Sequence, residues 1–190
     1  MLRAIRGEWS DHLPWVPRID LWFNAHRYRG TLPPPFGKET SLEEVADYIG
    51  GGHHKVIPDF QNTRSPEDTI DRGLGIYRLR EMACRPELVG VDREVKREGE
   101  TITVLYHTPL GSVSCEMVYT EKMRRDGISQ TWIAKHVIRR PEDYKVVGYI
   151  FKNIKVHPAY ESFSQYQREV GEKGLVVAWA SPSASPMHLS

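Results

Sequence analysis

Cationic and polar side chains are concentrated in the short segment FNAHRYRG, which runs from residue 23 to residue 30. His26, Arg27 and Arg29 supply positive charge, while Asn24 and Tyr28 add an amide and a phenol. A guanidinium group binds a carboxylate through paired charge-assisted hydrogen bonds, so the segment predicts a binding site for an anionic ligand. The alternative is a solvated helix surface, which accounts for Arg27 about as well and for Arg29 better.

The elements around this segment are expected to place it at the end of a strand. Two nearby prolines favour an extended entry into a predicted strand at 18–22, which contains Asp20. About two turns of helix follow, and Gly30 ends them before a run of prolines. Asp20 is then either a candidate ligand-binding residue or a source of a structural hydrogen bond.

The composition is typical of a globular protein without a general affinity for polyanions. The 190 residues include 26 basic and 25 acidic ones, which gives no support to a nucleic-acid or membrane-surface role. No apolar run approaches the ~20 residues of a membrane helix, and the N-terminus lacks the apolar core of a signal peptide. Cys84 and Cys115 form no zinc or redox motif, which indicates a reducing compartment. These features predict a cytoplasmic protein.

Residues 91–119 predict a three-stranded antiparallel meander. Ile102, Val104 and Tyr106 recur at every second position, and a similar alternation passes through Val113 and the residues after it. The turn-rich sequences REGE and TPLG join the three strands.

Outside the meander, predicted helices alternate with predicted strands. Capping signals and apolar periodicity predict helices at 2–8, 41–50, 141–153 and 158–174, and another that begins at Ser65. Apolar runs predict strands at 53–60, 131–138 and 175–180. Alternation of this kind favours a parallel sheet or a barrel of βα units.

Three phrases of the sequence resemble the uroporphyrinogen decarboxylase superfamily, which includes the decarboxylase and the methyltransferases that work with corrinoid proteins. The phrases are LRAIRGEWSDHLPWVPRIDLW, HTPLGSVS and VIRRPEDYKVVGYIFKN. The resemblance implies an α/β fold, the (β/α)8 TIM-type barrel, which needs about 250 residues. The chain is therefore expected to be the N-terminal half of such a barrel. It would form a single incomplete domain over 1–190, with the three-stranded antiparallel meander inserted at about 91–119.

The resemblance also implies roles for individual residues. In the decarboxylase, an Arg-Gln-Ala-Gly-Arg-Tyr segment holds the propionate and acetate groups of the tetrapyrrole, and residues 23–28 stand at the matching position. Arg27 matches the second arginine, whereas Phe23 replaces the first and offers no donor. The predicted substrate-binding residues are Asp20, Asn24, His26, Arg27 and Tyr28.

Because Phe23 breaks the arginine pair, the resemblance favours corrinoid-linked methyl transfer, with decarboxylation of uroporphyrinogen as the alternative. A complete methyltransferase of this kind uses zinc and a corrinoid. The family's zinc ligands lie in the second half of the barrel, so no cofactor is expected within this chain. Expected partners are a tetrapyrrole or methyl-donor ligand, a corrinoid protein and a chain that completes the barrel. A non-catalytic half that needs such a partner chain is the third interpretation.

The spacing of the candidate residues argues against two other kinds of site, a metal site and a phosphate-binding loop. His53 and His54 are adjacent, so on a strand they would point to opposite faces, and no third ligand stands at a useful distance. Gly50–Gly52 ends a predicted helix instead of joining a strand to one, unlike a phosphate-binding loop. Asp59 is the nearest match to the aspartate with which the decarboxylase binds pyrrole nitrogens.

Overall fold

The computed structural model describes residues 2–9, 15–52, 65–79, 82–174, 176 and 189. The helices in these ranges are α1 (Leu2–Ile5), α2 (Asp20–Arg29), α3 (Leu42–Tyr48), α4 (Glu121–Arg125), α5 (Asp143–Lys152) and α6 (Tyr160–Val170). The strands are β1 (Cys84–Leu88), β2 (Asp92–Glu98), β3 (Thr101–Thr108), β4 (Gly111–Val118), β5 (Trp132–Lys135) and β6 (Ile154–Pro158). Short 3₁₀ helices lie at Pro66–Asp68, Ile70–Leu74 and Gly171–Lys173.

A four-stranded antiparallel sheet in the order β2-β3-β4-β5 is the framework of the fold. Val104 of β3 stands opposite Cys115 of β4, and Tyr106 stands opposite Val113. These side chains are buried on one face of the sheet, as the alternation in the sequence predicts. Helix α5 covers that face with the apolar side chains of one of its own sides, so the largest core lies between α5 and the sheet.

The predicted half-barrel is wrong. Every strand pairing in both sheets is antiparallel, whereas a (β/α)8 barrel is built from parallel strands. The strand expected at 131–138 is present as β5, but it pairs antiparallel with β4 and extends the meander. The meander itself occupies 92–118 and is the main sheet of the described chain, so it is not an insertion into a barrel. Without a barrel, the expectation of a partner chain that completes one has no basis.

The strand predicted at 18–22 is also wrong, because helix α2 begins at Asp20. The Phe23 N–H donates to the Ile19 carbonyl at 2.8 Å, which is the first turn of the helix. An apolar run as short as Ile19–Phe23 does not distinguish a strand from a helix by periodicity. The charges do distinguish them: Asp20 lies in the first turn and three cationic residues lie in the last turn, which complements the helix dipole.

The other helix predictions agree with the structure where it describes them. The capping box that begins α3 is present, since Ser41 Oγ accepts from the Glu44 N–H at 3.1 Å. Helices α5 and α6 lie within the predicted ranges, and the segment after Ser65 forms short 3₁₀ helices. The strands predicted at 53–60 and 175–180, and with them His53, His54 and Asp59, lie outside the described residues, apart from Val176. No helix among the described residues combines the length and the apolar character needed to cross a membrane.

A second, two-stranded sheet formed by β1 and β6 has no counterpart in the predictions. Cys84 pairs with Pro158 and Leu88 with Ile154 in an antiparallel register. The β1 sequence, CRPEL, contains a proline and two charged residues and shows no apolar alternation, so no local signal predicts a strand. The pairing joins the segment before the main sheet to the segment after α5.

Asp143 holds the start of α5 beside the sheet. Its Oδ2 accepts the backbone N–H groups of Arg139 at 2.9 Å and of Arg140 at 3.1 Å. The Arg140 guanidinium also donates to Oδ1 at 3.2 Å. These bonds hold the pKa of Asp143 below its ordinary value of 3.8. The bond from the Arg139 N–H has the largest effect, and those from Arg140 add to it.

Asp143→Asn is therefore expected to reduce the acid sensitivity of the fold. The pKa of Asp143 is lower in the folded chain, so its stabilising contribution is complete above pH 3.8 and is lost as the pH falls further. In urea titrations between about pH 5 and pH 2, the free energy of unfolding should decline less steeply for Asp143→Asn than for the wild type. The neighbouring exposed carboxylate provides the control, and Glu142→Gln should follow the wild-type decline. Indistinguishable declines for Asp143→Asn and the wild type would contradict the prediction.

Candidate functional site

Helix α2 carries all of the residues that the sequence predicts to bind substrate, from Asp20 at its first position to Tyr28 near its end. Phe23 is its buried residue, at 2% exposure, and fixes which side of the helix faces the protein. The Arg27 guanidinium lies 5.9 Å from the centre of the Phe23 ring and is exposed. Gly30 ends the helix in the left-handed conformation at φ 68°, which glycine adopts without strain.

Helix α2 packs against α4 through polar contacts at its C-terminal half. The Tyr28 hydroxyl donates to Glu121 Oε1 at 2.5 Å, across 93 positions of sequence. The Arg29 guanidinium donates to Asp126 Oδ1 at 3.0 Å. These bonds join the last turn of α2 to both ends of α4.

Gly127 brings the backbone of the turn after α4 directly onto α2. Its φ is +80°, and a Cβ atom built on it would lie 2.1 Å from the Leu21 carbonyl oxygen and 2.8 Å from the Ala25 nitrogen. The Asn24 side chain also donates to the Gly127 carbonyl, at 3.3 Å. Glycine is therefore required here both for its conformation and for the close approach of two backbones.

An open cavity of about 650 Å³ lies beside this contact, and we call it the α2–α4 groove. It is lined by Asn24, Arg27, Tyr28, Lys38, Tyr119, Arg124, Gly127, Ile128 and Ser129. Three of the lining residues are cations and two are tyrosines. The structure thus brings three of the sequence-predicted residues to one cavity: Asn24, Arg27 and Tyr28.

Two of the groove cations pair with no carboxylate in the part of the chain that the structure describes. Among the described residues, no carboxylate lies within ion-pair distance of Arg27 or Lys38, and both side chains are exposed. In a chain whose formal net charge is only +1, two unpaired cations beside one cavity give it a local positive charge.

The third groove cation, Arg124, is already engaged. Its Nη1 lies 3.5 Å from Glu121 Oε2 and 3.6 Å from Glu100 Oε1. The guanidinium also sits over the Tyr119 ring, 4.7 Å from its centre.

The hydrogen bond that Tyr28 donates to Glu121 holds the pKa of Tyr28 above its ordinary value. Tyr28 therefore keeps its proton and acts as a hydrogen-bond donor.

Asp20 and His26 do not line the groove. The Asp20 Oδ1 atom lies 3.4 Å from Arg18 Nε, at the N-terminal end of α2. The His26 Nδ1 atom lies 2.9 Å from Thr31 Oγ1 and 3.1 Å from the Thr31 carbonyl oxygen. The contacts of His26 account for that side chain without a ligand, whereas Asp20 Oδ1 is buried and accepts no hydrogen bond from the described residues.

Sequence reasoning missed the half of the groove that comes from Lys38 and from residues 119–129. Local signals in this stretch do predict a helix: Thr120 is a residue that caps helices, and Gly127 follows the basic residues. In the structure, Thr120 Oγ1 caps α4 by accepting from the Met123 N–H at 3.2 Å. What the sequence does not reveal is that this short helix lies against α2, more than ninety positions earlier.

A second charged cluster lies under the main sheet and has a structural role. Asp71 is completely buried, and its Oδ2 accepts from Arg78 at 2.5 Å and from Arg93 at 2.8 Å. The Tyr106 hydroxyl donates to Oδ1 at 3.0 Å, and Glu67 also pairs with Arg93. Every oxygen of the Asp71 carboxylate is thus satisfied, as a buried charge requires.

No set of three metal-binding side chains comes together within the described ranges. Cys115 is buried in the main sheet, and burial raises the pKa of its thiol to about 12. Cys84 belongs to the other sheet, and burial raises the pKa of its thiol as well. The described residues do not fit a zinc site, so no step is assigned to zinc or to a corrinoid bound by them.

Comparison of the chain with models of protein families, with curated proteins and with solved structures finds no match in any of the three, so the resemblance to the uroporphyrinogen decarboxylase superfamily stays a prediction.

Proposed function

We propose that this chain binds a tetrapyrrole-type ligand carrying several carboxylates in the α2–α4 groove. The observation that carries the proposal is that two cations on the wall of one cavity, Arg27 and Lys38, pair with no carboxylate of the described residues. Charge-assisted hydrogen bonds to carboxylates are among the strongest that an exposed guanidinium or ammonium makes. A ligand with several carboxylates can engage both groups together.

The remaining lining residues suit a large, flat and partly apolar ligand. Tyr28 and Tyr119 offer ring surface beside the charges, and the Asn24 amide and the Ser129 hydroxyl add polar groups. The volume of about 650 Å³ falls within the range of about 300–1,000 Å³ that is usual for small-molecule sites.

The resemblance supplies the ligand class of this proposal. It assigns Arg27 to carboxylate binding, and Arg27 is a groove cation. Phe23, which replaces the other family arginine, is buried beneath Arg27 and anchors α2. Lys38 and Arg124 provide the additional cations from other segments. Corrinoid-linked methyl transfer and uroporphyrinogen decarboxylation both rest on the resemblance, and the groove residues are proposed to bind and orient the ligand in either reaction.

Titration with uroporphyrin, an octacarboxylate whose fluorescence reports binding, tests the proposal. Arg27→Gln is expected to weaken binding about tenfold, since it removes one charge-assisted contact. The matched control is Arg97→Gln, which removes an exposed cation of β2 that does not line the groove. Binding should also weaken as salt is added, because exposed charges are screened. A wild-type chain that does not bind uroporphyrin, or equal losses in the two variants, would refute the proposal.

A further inference from the structure

Glu121 is placed between the groove residues that a ligand carboxylate would need. It is the first residue of α4, and its two carboxylate oxygens are used separately. Oε1 accepts the Tyr28 hydroxyl at 2.5 Å, and Oε2 lies 3.5 Å from the Arg124 guanidinium. A carboxylate of a bound ligand would satisfy the same phenol and the same guanidinium. Glu121 therefore occupies one anion position of the groove with the protein's own carboxylate.

The groove thus has two kinds of anion position. Arg27 and Lys38 are available to a ligand at once, because no described carboxylate pairs with them. Tyr28 becomes available only when Glu121 moves aside, and Arg124 then keeps Glu100, at 3.6 Å, as its remaining carboxylate partner. The Glu121 side chain is 58% exposed, so it can rotate into water without losing burial.

We propose that Glu121 is a specificity-determining residue of the groove, which selects against ligands with many carboxylates. This inference rests on the proposed function, since it takes the α2–α4 groove as the binding site. A ligand with few carboxylates pairs with Arg27 and Lys38 and leaves Glu121 in place. A ligand with many carboxylates also competes for Tyr28 and Arg124 and must displace Glu121. The cost of that displacement lowers the affinity of the larger anion alone.

The inference predicts that removing the Glu121 charge favours the more highly charged ligand. Glu121→Gln should bind uroporphyrin about three- to fivefold more tightly than the wild type does, the size of effect expected from one exposed ion pair. Its affinity for deuteroporphyrin, a dicarboxylate, should change by less than about twofold. Thermal melts of Glu121→Gln would verify that the fold is kept, which is expected because the side chain is exposed.

Two further variants separate this role from a general change of charge. Glu100→Gln removes a carboxylate that also lies near Arg124, at 3.6 Å, but that does not bond to Tyr28, so its effect on uroporphyrin should be smaller. In a Tyr28→Phe background, Glu121→Gln should gain less affinity than it does in the wild type, because one of the two released groups is gone.

The outcomes distinguish failure of the inference from failure of the proposed function. If the wild type binds uroporphyrin in an Arg27-dependent way but Glu121→Gln binds both porphyrins as the wild type does, the groove stands and the inference is overturned. Equal gains for Glu121→Gln and Glu100→Gln, or weaker binding by Glu121→Gln, also overturn it. Absence of porphyrin binding by the wild type overturns both.

Discussion

Asp71→Asn is expected to destabilise the protein by about 3–5 kcal/mol, because it removes the buried counter-charge of Arg78 and leaves Arg93 with only the exposed Glu67. The Asp71 side chain is completely buried, and those of Arg78 and Arg93 are only 18% and 23% exposed. Asparagine keeps an oxygen that can accept from Tyr106. Its amide NH2 group would then occupy the Oδ2 position and direct donors at both guanidinium groups, which are donors themselves. The substitution thus preserves the shape of the Asp71 site but removes the negative charge that balances the arginines.

Thermal or urea unfolding of the purified variant measures this effect. The expected loss corresponds to a fall of about 6–20 °C in Tm for a chain of this size. The control is Glu67→Gln, which removes the other carboxylate paired with Arg93. The Glu67 side chain is 57% exposed, so the loss should stay below about 1 kcal/mol. Equal stability of Asp71→Asn and Glu67→Gln would mean that the buried cluster contributes no more than a surface ion pair.

Local features of this fold could be predicted from the sequence because the signals that specify them are local. The Ser41 cap and Glu44 lie three positions apart and bond to each other, so the start of α3 is visible in the sequence alone. Alternating apolar residues at 102–106 identify β3 and the face of the sheet that is buried. In these elements the information is contained within a few consecutive residues.

Strand pairing and the second half of the groove could not be predicted in this way. The apolar pattern of β5 indicates a strand, but it contains no information about which neighbour the strand takes or in which direction it runs. The alternation of helices with strands and the family resemblance predicted a barrel of parallel strands, and the antiparallel pairing of β5 with β4 contradicts that fold. Likewise, the charge on α2 indicates an anion site, whereas the bond between Tyr28 and Glu121 joins segments that the sequence keeps 93 positions apart.

Gly127→Ala is expected to separate α2 from α4 and so to impair both stability and ligand binding. The new Cβ atom would lie 2.1 Å from the Leu21 carbonyl oxygen and 2.8 Å from the Ala25 nitrogen. Both atoms belong to the backbone of α2, so no side-chain rotation relieves the overlap and one helix must move. The left-handed φ of +80° adds about 1–2 kcal/mol of conformational strain for alanine.

The matched control for this prediction is Gly99→Ala in the turn between β2 and β3. Gly99 also has a positive φ, of +57°, but a Cβ atom on it would meet nothing within 4 Å. Gly99→Ala should therefore show only the conformational cost, and Gly127→Ala should lose about 1–3 kcal/mol more for the overlap. Arg27 and Tyr28 lie on α2, whereas Arg124 lies on α4, so displacement of either helix also alters the groove. Gly127→Ala should then weaken uroporphyrin binding and Gly99→Ala should not. Equal effects of the two substitutions on unfolding and binding would show that the close approach of α2 and α4 does not form the site.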